Sequence, residues 1–418
     1  MIAPATPEFR RTCAALGMGA FVAFANIYTT QPLLPLFTKE FGTSALLSGL
    51  TVSLVIFSLG VSLFFYAPLS DALGRRWIMR LSLAVTVLLT FALALAPDFA
   101  SLLLIRTLQG FFIGGLPALA LAYVGEEFSP QAYSSAMAIY IAATSLSGIS
   151  GRLISGLAAD WGGWRMAFLA LGVVSLVFVI FFFQYLPPSR RFRPRRLCLH
   201  NLRESFSCHL KNPMLVPAFL VGGINFFLFV GLFNNVAYLL VAPPFNLAPG
   251  MIALLFLTFL AGTVSSALSN RITRGRLRSS GIAWGFLLAL AGFVLTLLPH
   301  LAAVVSGLVL VSSGFFLVHS LASAWVGREV RRYRAGASAL YLIFYYIGGS
   351  LGSLYFAFFW DRFAWGGVVF AALPVMLIAA GCVHRMRWME RHSPVIDEVD
   401  EVAHKVPVMS GKAPLKTV

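Results

Sequence analysis

Twelve stretches of this sequence are apolar for long enough to cross a lipid bilayer as helices. They run over residues 12–36, 45–69, 78–96, 99–124, 134–158, 164–186, 213–242, 250–269, 280–298, 301–326, 336–359 and 365–385. A hydrocarbon core about 30 Å thick asks for ~20 apolar residues per helical crossing. Inside lipid, each backbone N–H and C=O must also find its partner within the protein. Such a chain is expected to fold as an all-α membrane protein of 12 transmembrane helices. Only 11% of its 418 residues are charged and 59% are hydrophobic, against about 25% and 45–50% in an ordinary soluble domain. A soluble cytosolic protein, a disordered chain and a disulfide-stapled secreted module are thereby excluded. The first stretch follows Arg10 and Arg11 but is too long, and has too many successors, for a cleaved signal peptide; it reads as an uncleaved anchor.

The net charge of +16 would suggest nucleic acid in a soluble protein, but here position decides. With both termini on one side, 26 of the Lys and Arg residues fall on that side and only Lys39, Arg165 and Arg362 on the other. The positive-inside rule then makes both termini cytoplasmic. No nucleic acid is implied; the expected location is the bacterial inner (plasma) membrane. The halves also repeat. A shift of 201 residues aligns Tyr140 with Tyr341, Gly148 with Gly349, Gly151 with Gly352, Asp160 with Asp361 and Trp164 with Trp365. The expected organisation is a six-helix bundle over 1–186, a basic cytoplasmic linker over 187–212, a second six-helix bundle over 213–386 and a disordered cytoplasmic tail over 387–418. Parallel repeats of this kind occur in secondary transporters. Cys198, His200, Cys208 and His209 have metal-like composition but not the short ligand spacing of a zinc site, so no metal is expected.

Between the second and third spans stands Ala67-Pro68-Leu69-Ser70-Asp71-Ala72-Leu73-Gly74-Arg75-Arg76. It resembles the loop signature of the major facilitator superfamily, with Ala67 in place of the first Gly and Ala72 in place of the first Arg. Arg106-Thr107-Leu108-Gln109-Gly110 in the fourth span and Gly125-Glu126-Glu127-Phe128-Ser129-Pro130 after it are similar to that family too. The fifth span, Gly148-Ile149-Ser150-Gly151-Arg152-Leu153-Ile154-Ser155-Gly156, resembles its antiporter signature, with Arg152 where that signature has Pro. The resemblance covers the whole chain and lies near the bacterial drug:proton antiporters and predicted sugar-efflux permeases. It implies a fold of two pseudo-symmetric six-helix bundles, in which spans one, four, seven and ten line a central cavity. Arg106 and Gln109 would then face the cavity and Arg152 the seam between the halves. Independently of the resemblance, the loop chemistry suggests a gate at the cytoplasmic end formed by Asp71, Gly74, Arg75 and Glu126, with Arg152, near the outer end of its span, as a further gating candidate. A carboxylate just past a helix can cap a neighbouring helix N-terminus, and Arg75 can pair with Glu126.

All fifteen acidic residues fall at loops, span ends or tails, whereas Arg106 and Arg152 lie inside spans. A guanidinium in the membrane costs at least ~2.5 kcal/mol to insert, which makes it a functional candidate by default. The bland alternatives are snorkelling outward or pairing with Asp98, Asp160 or Asp361. Two such cations on consecutive helices would repel unless an anion or a set of acceptors lay between them. His319, mid-span in the tenth helix near Ser312 and Ser323, is suited by its ordinary pKa near 6.5 to binding and releasing a proton. Its alternative is a neutral interhelical hydrogen bond. Asp71 is the second candidate for proton coupling. Asn26, Tyr28 and Gln31 in span one and Asn225, Asn234, Asn235 and Tyr238 in span seven can hydrogen-bond a solute; Arg106, Gln109, Asn26, Gln31, Asn225, Asn235 and His319 form the expected binding set. Pro32 and Pro35 should kink span one and free backbone carbonyls.

The expected activity is secondary active transport of a small organic solute by alternating access, as proton-coupled efflux. The absence of a mid-membrane carboxylate tilts the solute toward anionic or neutral compounds, including sugars. It also leaves an uncoupled facilitator or an uptake permease as the alternative. A membrane-embedded enzyme or a sensor, the alternative of another class, is a poor fit, since nothing added to the spans suggests a signalling output. Gly348-Gly349-Ser350-Leu351-Gly352 matches Gly-x-Ser-x-Gly but lies in an apolar span rather than a strand–turn–helix, and no phosphate-cradling loop occurs. No cofactor is expected; the partners would be a small-molecule substrate, protons and the lipid bilayer, and the working unit a monomer.

Overall fold

The computed structural model describes residues 1–190, 199–274, 277–330 and 334–392. Part of the linker and residues 393–418 of the tail therefore lie outside the described residues, as does Cys198. The helices are α1 (Pro7–Tyr28), α2 (Leu34–Phe41), α3 (Ala45–Leu73), α4 (Arg75–Ala94), α5 (Phe99–Ile113), α6 (Gly115–Glu127), α7 (Pro130–Tyr185) and α8 (Leu199–Leu210). They continue as α9 (Val216–Val241), α10 (Pro249–Leu254), α11 (Phe259–Ile272), α12 (Arg278–Leu295), α13 (Leu301–Glu329) and α14 (Arg334–His392). Among the described residues ten continuous helical segments are long and apolar enough to span a membrane. Two of them, α7 and α14, reverse direction once. The α7 helix breaks at Gly162 and Gly163 (φ +67°) and α14 at Ala364 (φ +50°). Past its break α14 runs back on itself, the Tyr355 hydroxyl donating to Ala371 O at 3.2 Å. Ten segments with two reversals give twelve crossings.

Local sequence explains where the helices begin. Thr6, Ser44, Asp98 and Ser129 each accept a hydrogen bond from a first-turn amide, at 3.1, 3.2, 2.7 and 3.3 Å, as N-cap side chains do. The bond from the Ser101 amide holds the Asp98 carboxyl below its usual range. Pro7, Pro130, Pro217 and Pro249 occupy first-turn positions that need no donor. Span one breaks as its prolines predict: α1 stops at Tyr28, a 3₁₀ turn covers Gln31–Leu33, and α2 resumes the crossing. The outer surface is apolar, with Leu377 73% and Phe370 65% exposed; such a surface belongs in lipid.

The internal repeat is a repeat of packing. Gly151 meets the backbone of Ala25 on α1, where an added Cβ would lie 2.5 Å from Ala25 Cα. Its repeat partner Gly352 meets the backbone of Phe227 on α9, and a Cβ there would collide with the Phe227 carbonyl. Close approach of this kind drives helix association in lipid. Gly352→Val is accordingly expected to lower thermal stability in detergent by roughly 1–3 kcal/mol of overpacking strain. Gly366→Val, at a position with nothing within 4 Å, should leave the unfolding temperature unchanged; equal stability of the two variants would contradict this packing.

Hydrogen bonds between the halves gather away from the basic loops. Gln31 reaches Asn234, Thr38 reaches Tyr238, and Ser350 and Ser353 donate to the carbonyls of Ser53 and Gly49. At the rim, Asp361 accepts from the amides of Ala45 and Leu46 at the start of α3, both at 3.1 Å. Asp160 accepts from the amide of Gly250 at the start of α10, at 3.1 and 3.2 Å. These two aspartates are repeat partners. Each clasps a helix start belonging to the opposite half, so the end carrying Lys39, Arg165 and Arg362 is closed.

Candidate functional site

Arg106 is fully buried on α5, and its guanidinium is engaged throughout. Nε donates to Thr51 O at 3.0 Å, Nη1 to Asn26 O at 2.9 Å and Gln109 Oε1 at 2.5 Å, and Nη2 to Ile27 O at 2.9 Å and Thr30 Oγ1 at 3.5 Å. The two α1 carbonyls lie where span one breaks, so Arg106 supplies donors, and positive charge, to an interrupted helix C-terminus. Gln109 Nε2 donates to Thr90 at 2.9 Å and to Asn26 Oδ1 at 3.2 Å. Asn26 Nδ2 donates to Val22 O and to Ser175 Oγ, at 2.8 and 3.2 Å. Arg106, Gln109 and Asn26 thus form a closed network within the first half. The expectation that they present polar atoms to a solute meets a geometry in which those atoms are satisfied.

Arg152 differs. It lies 2% exposed on α7, where Nε donates to Gln31 Oε1 and Nη1 to Gly148 O, both at 2.6 Å. Gln31 Nε2 passes the contact to Asn234 Oδ1 at 2.6 Å, Asn234 Nδ2 to Ser353 Oγ at 2.6 Å, and Ser353 to Gly49 O at 3.3 Å. This polar thread leaves the first half, crosses α9 and α14 of the second, and returns to α3. Neither arginine pairs with Asp98, Asp160 or Asp361; each of those carboxylates caps a helix start instead. The acceptors needed to separate the two cations are the α1 carbonyls on Arg106 and Gln31 on Arg152.

On α13, His319 Nδ1 is 3.0 Å from the Tyr341 hydroxyl, and its ring lies 4.9 Å from that of Tyr345. Asn225 donates to Phe315 O at 2.9 Å. Asn235 donates back to Gly231 O in its own helix at 2.8 Å, leaving a buried Oδ1 without a partner. Of the span-seven asparagines, it is Asn234 that crosses to the other half. Ser353 was not singled out from the sequence, nor were Phe256 and Phe259, which pack on Arg152; nothing in the local pattern aims them there.

At the basic end, Arg75 forks onto Glu126, Nε to Oε2 at 2.7 Å and Nη2 to Oε1 at 2.5 Å, with Nη1 on Ser70 Oγ at 3.1 Å. The fork joins α4 to α6 inside the first half. It therefore does not bridge the halves as a gate bond spanning the seam would. Gly74 turns α3 into α4 with φ +94°, a conformation that glycine adopts without steric cost. The side chain of Asp71, in the last turn of α3, lies outside the described residues.

The sequence profile of the Major Facilitator Superfamily matches residues 16–353. The chain belongs to the major facilitator superfamily. It is similar to the MFS-type transporter YybF of Bacillus subtilis, 37% identical over 374 residues covering 90% of this chain and 93% of that one. It is also similar to the inner membrane transport protein YnfM of Escherichia coli, 34% identical over 375 residues covering 90% of each. Among solved structures, a bacterial homolog to the human lysosomal transporter Spinster, inward-facing and unoccupied, superposes with a TM-score of 0.76 at 17% identity, covering 93% of this chain and all of that one. This superfamily member is a multi-pass membrane transporter and not an enzyme. Its Gly-x-Ser-x-Gly run lies within α14, where Ser350 donates to Ser53 O at 3.0 Å in a helix–helix contact.

Proposed function

We propose that this transporter is a proton-coupled exporter of a small organic solute, working by alternating access in the bacterial inner membrane with both termini cytoplasmic. The observation that carries the reading is the polar thread from Arg152 through Gln31 and Asn234 to Ser353, which ties the halves together deep in an apolar seam. Buried polar links between two bodies are costly to leave half-made, so they favour two discrete arrangements over a continuum. In the closed arrangement Asp160 and Asp361 clasp the rim. In the open one those helix starts separate, and the thread is remade with the solute. The placement of basic residues supports the termini and the membrane; the loop and fifth-span motifs support efflux. A single chain holds both halves and the whole thread, which supports a monomeric unit.

His319 is the proposed proton carrier, hydrogen-bonded to Tyr341 and set against the Tyr345 ring in the second half; Asp71 is the second. Arg106, Gln109 and Asn26 are assigned to holding the shape of span one, and Gln31, Asn225, Asn235 and His319 to the solute side. Gly74, Arg75 and Glu126 shape the basic end, within the first half. Reconstituted protein with an entrapped pH indicator should move protons when a transported solute is added. His319→Gln should abolish that proton movement while solute counterflow, weakened by the change on the solute side, stays measurable. Solute exchange without proton movement in the wild type would make the protein an uncoupled facilitator, the reading favoured by its lack of a mid-membrane carboxylate.

A further inference from the structure

Arg152 is a buried cation with no counter-charge among the described residues. Of the five N–H groups an arginine carries, two are used, on Gln31 and Gly148. The described ion pairs involve Arg75, Arg165 and Arg190. Arg106, by comparison, has every nitrogen engaged. The faces of the Arg152 guanidinium are covered by rings from both halves: Tyr28 at 4.1 Å, Phe256 at 4.7 Å and Phe259 at 4.8 Å from its central carbon. Tyr345 lies within electrostatic reach and stacks on Phe226 at 3.9 Å. Rings on the faces leave only the in-plane N–H edge for a further partner. That edge is a planar fork, matched by the two oxygens of a carboxylate.

Charge counting narrows the class. At the Arg152 fork itself there is one positive charge, which a monoanion matches, while the Arg106 guanidinium is taken up by the carbonyls and amide it donates to. A dianion would leave its second charge among the rings. The surroundings of the cation are aromatic, so the rest of the ligand must tolerate rings rather than water. We infer that Arg152 is the recognition point for a monoanionic organic carboxylate with an apolar, aromatic body, bound where Tyr28 of the first half and Phe256 and Phe259 of the second converge. The inference rests on the transport reading above and adds the substrate class to it.

Benzoate, benzamide and phthalate are suitable probes, sharing a ring and differing in charge. With the full-length wild type in detergent, benzoate should raise the unfolding temperature saturably, as a ligand specific to the folded state does. Benzamide, neutral and nearly isosteric, should give no shift, and phthalate should bind at least about tenfold more weakly. Arg152→Lys should weaken benzoate about tenfold, because a point charge replaces the fork, and Arg152→Gln should abolish its effect. Benzamide acting as well as benzoate, no response to millimolar benzoate, or an unchanged benzoate shift in Arg152→Gln would each overturn the assignment. Should Arg152→Gln fail to fold, the benzoate–benzamide comparison on the wild type decides alone. A protein that moves protons with some other solute but ignores benzoate loses the carboxylate class and keeps the transport reading. One that binds benzoate yet moves neither solute nor protons does the reverse.

Discussion

Replacing Arg106 with methionine is expected to remove most of the folded protein from the membrane fraction. Methionine has similar length and no donors, so the carbonyls of Asn26 and Ile27, at the break of span one, would be left buried without the partners that Arg106 gives them. The Thr51 carbonyl, inside α3, keeps its helical bond. Each buried acceptor stranded in this way costs roughly 1–3 kcal/mol. For two carbonyls that is about 2–6 kcal/mol, a large part of the roughly 5–15 kcal/mol that holds a typical protein folded. Relief from burying a charge offsets some of this, as it does when buried ion pairs become apolar. Here, however, the acceptors are main-chain groups that the substitution cannot take away. The readout is the monodisperse peak in size-exclusion chromatography of a fluorescent fusion, expected to fall several-fold. Arg106→Lys should be intermediate, since one ammonium cannot reach carbonyls on both α1 and α3. Wild-type yield and unfolding temperature in Arg106→Met would show that span one does not depend on this brace.

The second large effect concerns the closed rim. Asparagine at both Asp160 and Asp361 keeps one oxygen acceptor at each site and removes the charge that the helix starts attract. A carboxylate at an exposed helix N-terminus contributes about 0.3–1 kcal/mol. Losing both should therefore raise the population open at that end about threefold to thirtyfold, at 1.4 kcal/mol per factor of ten. Ser53, whose carbonyl accepts from Ser350 across the seam, can report the change. In a background lacking Cys13, Cys198, Cys208 and Cys382, a cysteine replacing Ser53 should react with an impermeant maleimide faster by that factor in the double variant. Each single variant should give about half the effect in free energy, because the two clasps lie on opposite sides of the seam. An unchanged labelling rate would mean that closure resides in the packed interior rather than at the rim.

Much of the architecture was legible beforehand because hydropathy sums along the chain. Span positions and the prolines that break span one follow from neighbours in sequence. The repeat also marked Asp160 and Asp361 as equivalent, although not what they would touch. The two membrane arginines looked alike from the sequence, each set inside a span with no acid at its depth. The structure separates them: Arg106 faces the carbonyls of a broken helix and has every nitrogen engaged, while Arg152 faces rings, one glutamine and one carbonyl and uses two of its five N–H groups.

The sequence by itself determined a bundle of twelve crossings in two matched halves, with its basic loops at one end. Tertiary structure alone decided which polar side chains meet across the seam. Asn234 and Asn235 are adjacent in sequence, but one residue of α-helix is a turn of about 100°, so one reaches Gln31 and Ser353 while the other bonds its own helix. In a soluble protein the apolar face of a helix would reveal that rotation. In a membrane, lipid and core are equally apolar, so the sequence carries little record of which way each helix faces, and only the packed bundle fixes it.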